Sequence, residues 1–103
     1  MDPAPRRQSR GNEATDKTMN PRRLLAKIAT GSINNVAFSD AQRLATALGF
    51  RETRTESSHH IYLHPDVPEL LNLQDVRSEA KPYQLRQLLR LIERYNLTLE
   101  RES

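Results

Sequence analysis

The spacing of apolar residues changes twice along this chain, from a helical period to an alternating one and back again. Residues 20–49 place apolar side chains three and four positions apart, which is the spacing of one helix face. Residues 50–74 alternate apolar and polar side chains, as half-buried strands do. The helical spacing returns after Pro82. This order predicts an α+β domain, a small three-stranded antiparallel sheet covered on one side by helices, with an extra helix in front.

Two helices are expected before the strands. Asn20 is the predicted N-cap of the first helix, because Pro21 follows it at the first helical position. The apolar face of this helix is expected to carry Leu24, Leu25 and Ile28. The second helix is expected to begin at Ser39, which can form a capping box with Gln42, and to end where Gly49 takes positive φ. The apolar face of this second helix is expected to carry Ala41, Leu44, Ala45 and Leu48.

Three strands are predicted after these helices, in residues 50–55, 59–64 and 70–74. In the second strand Ile61 and Leu63 are expected to face the core, because apolar side chains on one strand face are normally buried. The opposite face of that strand carries His60, Tyr62 and His64. The inward residues of the third strand are expected to be Leu71 and Leu73.

A last helix is predicted from Pro82, which is well tolerated in a first turn. Its apolar stripe is expected to consist of Leu85, Leu88, Leu89 and Ile92. A second face of this helix carries basic residues at intervals of four: Arg86, Arg90 and Arg94.

Residues 1–19 differ in composition from the rest of the chain. They contain no aromatic and no β-branched aliphatic residue, so they cannot bury enough surface to offset the entropy of ordering. We expect a disordered tail at 1–19 and one domain at 20–103, and translation could begin naturally at Met19. No apolar run approaches the ~18 residues of a membrane span, and the N-terminus lacks the apolar region of a signal peptide. A cytoplasmic protein without a membrane partner is expected.

Several chemistries are excluded by residue type. The chain has no cysteine, which rules out disulfides, thiolate metal sites and a thiol nucleophile. Three histidines lie close together, at His59, His60 and His64, but four residues of a strand span about 13 Å, too far for one metal ion. We therefore expect neither a metal site nor a cofactor. There is also no nucleophile elbow of the GxSxG type and no glycine-rich phosphate loop.

The remaining candidate for a catalytic group is a pair of adjacent imidazoles on a strand. Histidine can take and return a proton at neutral pH, and cleavage of RNA needs such a base for the 2′-hydroxyl group and a cation beside the phosphate. Of the 16 basic residues 13 are arginine, the better bidentate phosphate ligand, although a GC-rich genome gives the same bias. The alternative is that the histidines simply belong to a solvated strand face.

Three blocks of the sequence resemble one known family. These are Gly49-Phe50, SSHHIYLHPDVPELLNLQ from Ser57, and AKPYQLRQLLRLIERYNL from Ala80. Together they are similar to HicA-type toxins of type II toxin–antitoxin systems, from about Asn20 to Leu99. The first residue of the second block departs from the family pattern, since Ser57 stands where the family usually has glycine. If that glycine takes positive φ, serine strains or reshapes the turn.

The resemblance implies a fold like that of double-stranded-RNA-binding domains and a metal-independent ribonuclease that cleaves mRNA. It also implies a HicB-like antitoxin as the inhibitory partner. The family's catalytic histidine follows the motif's serine, which makes His59 the predicted acid/base and His60 the alternative. Since His59 shares a strand face with Ile61 and Leu63, it should point to the core unless a turn or bulge redirects it. His64, next to Pro65, is expected to be the least fixed histidine.

The remaining site predictions concern RNA contacts and the partner. Ser58, Lys81, Arg86 and Arg90 are candidate RNA ligands, although a solvated helix face explains the basic residues equally well. Tyr62 could stack on a base or shield the sheet. The antitoxin is expected to cover the strand face of His60 and Tyr62 together with the arginine row of the last helix. The alternative function is a catalytically silent domain that binds RNA or only its antitoxin.

Overall fold

The computed structural model describes residues 19–100, and the predicted tail lies outside the described residues except for Met19. The helices are α1 (Pro21–Ala29), α2 (Phe38–Ala47) and α3 (Pro82–Tyr95). The strands are β1 (Arg51–Glu56), β2 (His59–His64), β3 (Val67–Val76) and β4 (Glu79–Ala80). The predicted α+β class and the order of helices and strands are confirmed.

The strands form one antiparallel sheet in the order β1-β2-β3-β4. The two-residue strand β4 was not predicted from the sequence. It follows β3 through a tight turn in which Arg77 and Ser78 both have positive φ, 54° and 70°. At the other edge β1 is exposed in all six residues, and its register with β2 shifts between Glu52 and Arg54.

The helices cover one face of the sheet. In β2 this is the opposite face to the one that the sequence predicted to be buried. Tyr62 is 2% exposed and lies opposite Leu71, whereas Leu63 is 42% exposed. The prediction that Ile61 and Leu63 face the core was therefore wrong. The inward position of Leu71 and Leu73 in β3 is confirmed, and because cross-strand partners share a face, the register places Tyr62 and His60 on the same side as these leucines. The other side of the sheet is called the open face below.

The ends of the first two helices agree only in part with the prediction. The side chain of Asn20 accepts a hydrogen bond from the Arg22 amide at 2.8 Å, which confirms the predicted N-cap of α1. Helix α2 begins at Phe38, so the capping box predicted from Ser39 was wrong. The reason is tertiary: Phe38 is buried, and its amide donates to the Ser78 carbonyl at 2.8 Å. At the other end of α2, Gly49 has the expected positive φ, 102°.

The core lies between the helices and the covered face of the sheet. The predicted apolar faces of α2 and α3 are buried, except that Leu89 is only partly covered. Helix α3 also buries Leu91 and Gln84, and the Gln84 Oε1 accepts a hydrogen bond from the Gln74 amide at 2.7 Å. Within residues 19–100 no helix is both long enough and apolar enough to cross a membrane.

Candidate active site

The hairpin of β1 and β2 positions the first two histidines. Glu56 pairs with His59, so only Ser57 and Ser58 form the turn between the strands. Ser57 has φ 57°, the left-handed conformation that glycine adopts most readily. The Ser58 carbonyl accepts a hydrogen bond from the Asp75 amide at 2.9 Å, which attaches the turn to β3.

His60 lies on the helix-covered side of β2 and contacts a carboxylate. Its Nδ1 is 2.7 Å from the Glu52 Oε2, and its ring centroid is 4.7 Å from that of Phe38. The Thr55 hydroxyl donates to the same carboxylate oxygen. These hydrogen bonds, first the one from Thr55 and then the one from His60, lower the pKa of Glu52 below its ordinary value. Glu52 is therefore an anion at neutral pH.

This contact orients the His60 ring. A carboxylate only accepts hydrogen bonds, so Nδ1 of His60 carries the proton that it shares with Glu52. In the neutral ring Nε2 is then the basic nitrogen. The His60 side chain is 20% exposed, so the ring is fixed by its neighbours while solvent still reaches it. A carboxylate-oriented imidazole is the arrangement that general bases use in many hydrolases.

His59 lies on the open face, half-buried. It shares that face with Ile61 and Leu63, as predicted, but the face is not the core, so no bulge is needed to expose the ring. Its Nδ1 is 3.2 Å from the Asn72 Oδ1, an amide oxygen on β3. Because neighbouring residues of a strand point to opposite faces, His59 and His60 cannot act together on one phosphate in this conformation.

His64 is the most firmly held of the histidines, so the prediction that it is the least fixed was wrong. It is 9% exposed, and its Nδ1 accepts a hydrogen bond from the Asp66 amide at 2.9 Å. Its Nε2 donates to the Leu48 carbonyl at 3.0 Å, at the end of α2, and its ring meets the edge of Phe50. With both nitrogens bonded to the backbone, His64 joins β2 to α2 and has no free nitrogen for chemistry.

The Tyr62 ring is packed in the core and is not available to stack on a base. Its hydroxyl accepts a hydrogen bond from the Gln42 Nε2 at 3.0 Å, and burial raises the pKa of this phenol. The ring therefore shields the sheet, which is the second of the two interpretations from the sequence. The expectation that the antitoxin covers a strand face formed by His60 and Tyr62 was wrong, because α2 already covers Tyr62.

The basic residues predicted as RNA ligands belong to α3 or to the residue before it, whereas Glu52 and His60 belong to β1 and β2. Lys81 precedes α3, with its Nζ 5.6 Å from the centroid of the Tyr83 ring. Arg86 and Arg90 are exposed on α3, which packs mainly against β3 and α1. Arg94 in the same row pairs with Glu69 of β3 at 3.2 Å, so part of the row is neutralised.

A cleft of about 760 Å³ opens beside Glu52, between α2, the start of α1 and the end of the described chain. Its lining includes Gln42 and Arg43 of α2, the hydroxyl-bearing Tyr62, and Glu52 itself. Sequence reasoning missed Glu52, Gln42 and Arg43 as site residues. Only the fold brings α2 beside β1, and no local motif marks these positions. No group of three or more potential metal-ligating side chains occurs in residues 19–100.

The fold and the sequence comparison together give the family. The three helices and the antiparallel sheet, with the order α-β-β-β-α after α1 when the two-residue β4 is left aside, form an architecture like that of double-stranded-RNA-binding domains. Residues 38–93 match the family described as HicA toxin of bacterial toxin–antitoxin. The match covers more than half of the chain, so the chain belongs to the HicA toxin family and is a toxin of a toxin–antitoxin system. Neither a curated protein nor a solved structure matches it.

Proposed function

We propose that this toxin is a metal-independent endoribonuclease that cleaves mRNA in the cytoplasm and thereby inhibits translation and growth. Its inhibitory partner in this proposal is a HicB-like antitoxin. The observation that carries the proposal is the Glu52–His60 contact, a carboxylate 2.7 Å from an imidazole nitrogen on a partly exposed side chain. Membership of the HicA toxin family supports it independently.

The reaction needs only groups that the chain contains. Nε2 of His60 removes the proton of an RNA 2′-hydroxyl group, and the 2′-oxygen attacks the adjacent phosphorus. The bond from phosphorus to the 5′-oxygen breaks, and that oxygen leaves after taking up a proton from solvent or from the imidazolium. The products are a 2′,3′-cyclic phosphate and a free 5′-hydroxyl group. Glu52 holds the ring in one tautomer and stabilises the imidazolium that forms.

The motif and the geometry favour different histidines. The family motif points to His59, whereas the orienting carboxylate lies beside His60. A neutral amide such as Asn72 can hold the tautomer of His59, but it cannot stabilise a positive ring as well as a carboxylate does. We therefore propose His60 as the acid/base and His59 as the alternative.

The proposed phosphate contacts come from separate parts of the fold. Arg43 is exposed and lines the same cleft as Glu52, the residue that holds the proposed base, so we propose it as a phosphate contact. Lys81, Arg86 and Arg90 remain proposed contacts for RNA further along the strand, and Ser58 for RNA at the hairpin turn. Such contacts are sequence-independent and weaken with salt.

A paired substitution tests the proposal. His59→Ala and His60→Ala, purified with the antitoxin removed, are compared with the wild-type chain for cleavage of an mRNA in EDTA and for growth arrest. We expect His60→Ala to lower the cleavage rate by about 10²–10⁴ and His59→Ala to have a much smaller effect. The reverse result assigns the chemistry to His59. If the wild-type chain binds RNA without cleaving it, the protein is the catalytically silent domain, which is the alternative function expected from the sequence.

A further inference from the structure

We propose that the cleft between α2 and β1 is a nucleobase-binding subsite that holds the RNA nucleotide next to the scissile bond. The inference rests on the proposed ribonuclease function and adds to it the part of the protein that grips the substrate.

The bottom of the cleft offers a donor and an acceptor side by side. The Tyr62 hydroxyl accepts a hydrogen bond from Gln42, and no acceptor within residues 19–100 takes its own proton. Tyr62 lines the cleft although the residue as a whole is only 2% exposed, so a ligand bound there can accept this proton. The Oε1 of Gln42 is likewise free to accept. One donor beside one acceptor matches the Watson–Crick edge of a nucleobase, which presents both kinds of group.

The walls of the cleft suit a flat ring with a charged substituent at one end. Pro21, Ala47 and Leu99 supply apolar surface. Arg43 lines the same cleft and forms no ion pair with any residue from 19 to 100. The volume of about 760 Å³ lies within the range of about 300–1,000 Å³ that small-molecule pockets have.

The charges in the cleft favour a base over a phosphate at its bottom. The carboxylates of Glu52 and Glu100 both line it, and they repel an anion placed between them. A neutral base avoids this repulsion, and its amino or imino protons can approach a carboxylate. The phosphate of the same nucleotide then belongs at Arg43.

Glu52 connects the subsite to the proposed chemistry. The same side chain lines the cleft and accepts the hydrogen bond from Nδ1 of His60. A nucleotide bound in the cleft is thus separated from the proposed base by one residue. Binding there would position the neighbouring phosphodiester, which is how an enzyme uses contacts remote from the reacting atoms.

The test is an NMR titration of the full chain with the four nucleoside 3′-monophosphates, carried out on the wild type, Gln42→Ala and Tyr62→Phe. Gln87→Ala, on α3 and outside the cleft, is the matched control. We expect amide shifts at Gln42, Arg43 and Glu52 with at least one nucleotide. Loss of one hydrogen bond should weaken that binding by about 2- to 12-fold in each cleft variant and leave the control unchanged.

Two outcomes overturn the inference: shifts confined to the open face or to α3, or equal affinity in the wild type and both cleft variants. Failure of the proposed function looks different. If nucleotides bind the cleft but the wild-type chain does not cleave RNA, the subsite stands and the nuclease proposal falls. If RNA is cleaved while no nucleotide shifts the cleft amides, the nuclease stands and the subsite falls.

Discussion

Replacing Ser57 by glycine should stabilise the protein relative to the same change at its neighbour Ser58. Ser57 has φ 57°, whereas Ser58 is not among the residues with positive φ. A non-glycine residue in the left-handed region costs about 1–2 kcal/mol. Glycine removes this cost but makes the unfolded chain more flexible, a loss of about 0.5–1 kcal/mol. The Ser57→Gly variant should therefore equal or exceed the wild type in stability by up to about 1.5 kcal/mol.

Ser58→Gly carries the same entropic loss without the relief of backbone strain, so it should destabilise by about 0.5–1 kcal/mol. The entropic contributions cancel in the comparison, and the free energies of unfolding of the two variants should differ by about 1–2 kcal/mol. Urea denaturation followed by circular dichroism measures this difference. For a domain of this size it corresponds to a shift of about 4–16 °C in Tm. Equal stabilities of the two glycine variants would show that the turn at Ser57 is not strained.

Further predictions concern a buried histidine, a carboxylate and the tail. His64→Ala should lower the free energy of unfolding by about 2–4 kcal/mol, because it leaves a cavity and an unpaired Leu48 carbonyl. Urea denaturation measures this loss, and an unchanged free energy would contradict the role of His64 as a link between β2 and α2. The pKa of Glu52 is lower in the folded chain than its ordinary value of 4.5, so its contribution to stability is complete above that value and is lost as the pH falls through the folded pKa. The stability difference between wild type and Glu52→Gln should therefore shrink in acid, and a difference that grows below pH 4.5 would refute this sign. Deleting residues 1–18 should leave the thermal midpoint unchanged, since their composition offers little to pack, and a drop of several degrees would show that they dock.

The sequence was sufficient for most of the fold because its periodicities are local signals. The helical spacing of apolar residues, the change of period after Gly49 and the prolines at Pro21 and Pro82 predicted the three helices and the three longer strands, although α2 and β3 both begin earlier than expected. The face of β2 was not predictable in this way. Both of its faces carry apolar side chains, and only pairing with Leu71 decides that Tyr62 is the buried one. The start of α2 depends likewise on a hydrogen bond to Ser78, 40 residues away in sequence.

For the candidate site, the sequence predicted which residue types carry the chemistry but not which residues they contact. The adjacent histidines are visible in the sequence, but their partners Glu52 and Asn72 lie on neighbouring strands and follow from the register. Gln42 and Arg43 belong to a helix whose distance from β1 depends on tertiary packing. The same packing shows that His64, which resembles the other two histidines in sequence, is a structural residue.

The two edges of the sheet affect whether copies of this toxin can add to one another when no partner covers the edges. A free strand edge is a template on which another copy can add, and this is a common route to aggregation. Here β4 is only two residues long, and β1 alternates Arg51, Glu52, Arg54 and Glu56 along a register that shifts in the middle. Charges and a kink both oppose the addition of a flat strand. We therefore expect a chain released from its partner to resist fibre growth at the sheet edges, so that loss of function in storage comes from unfolding.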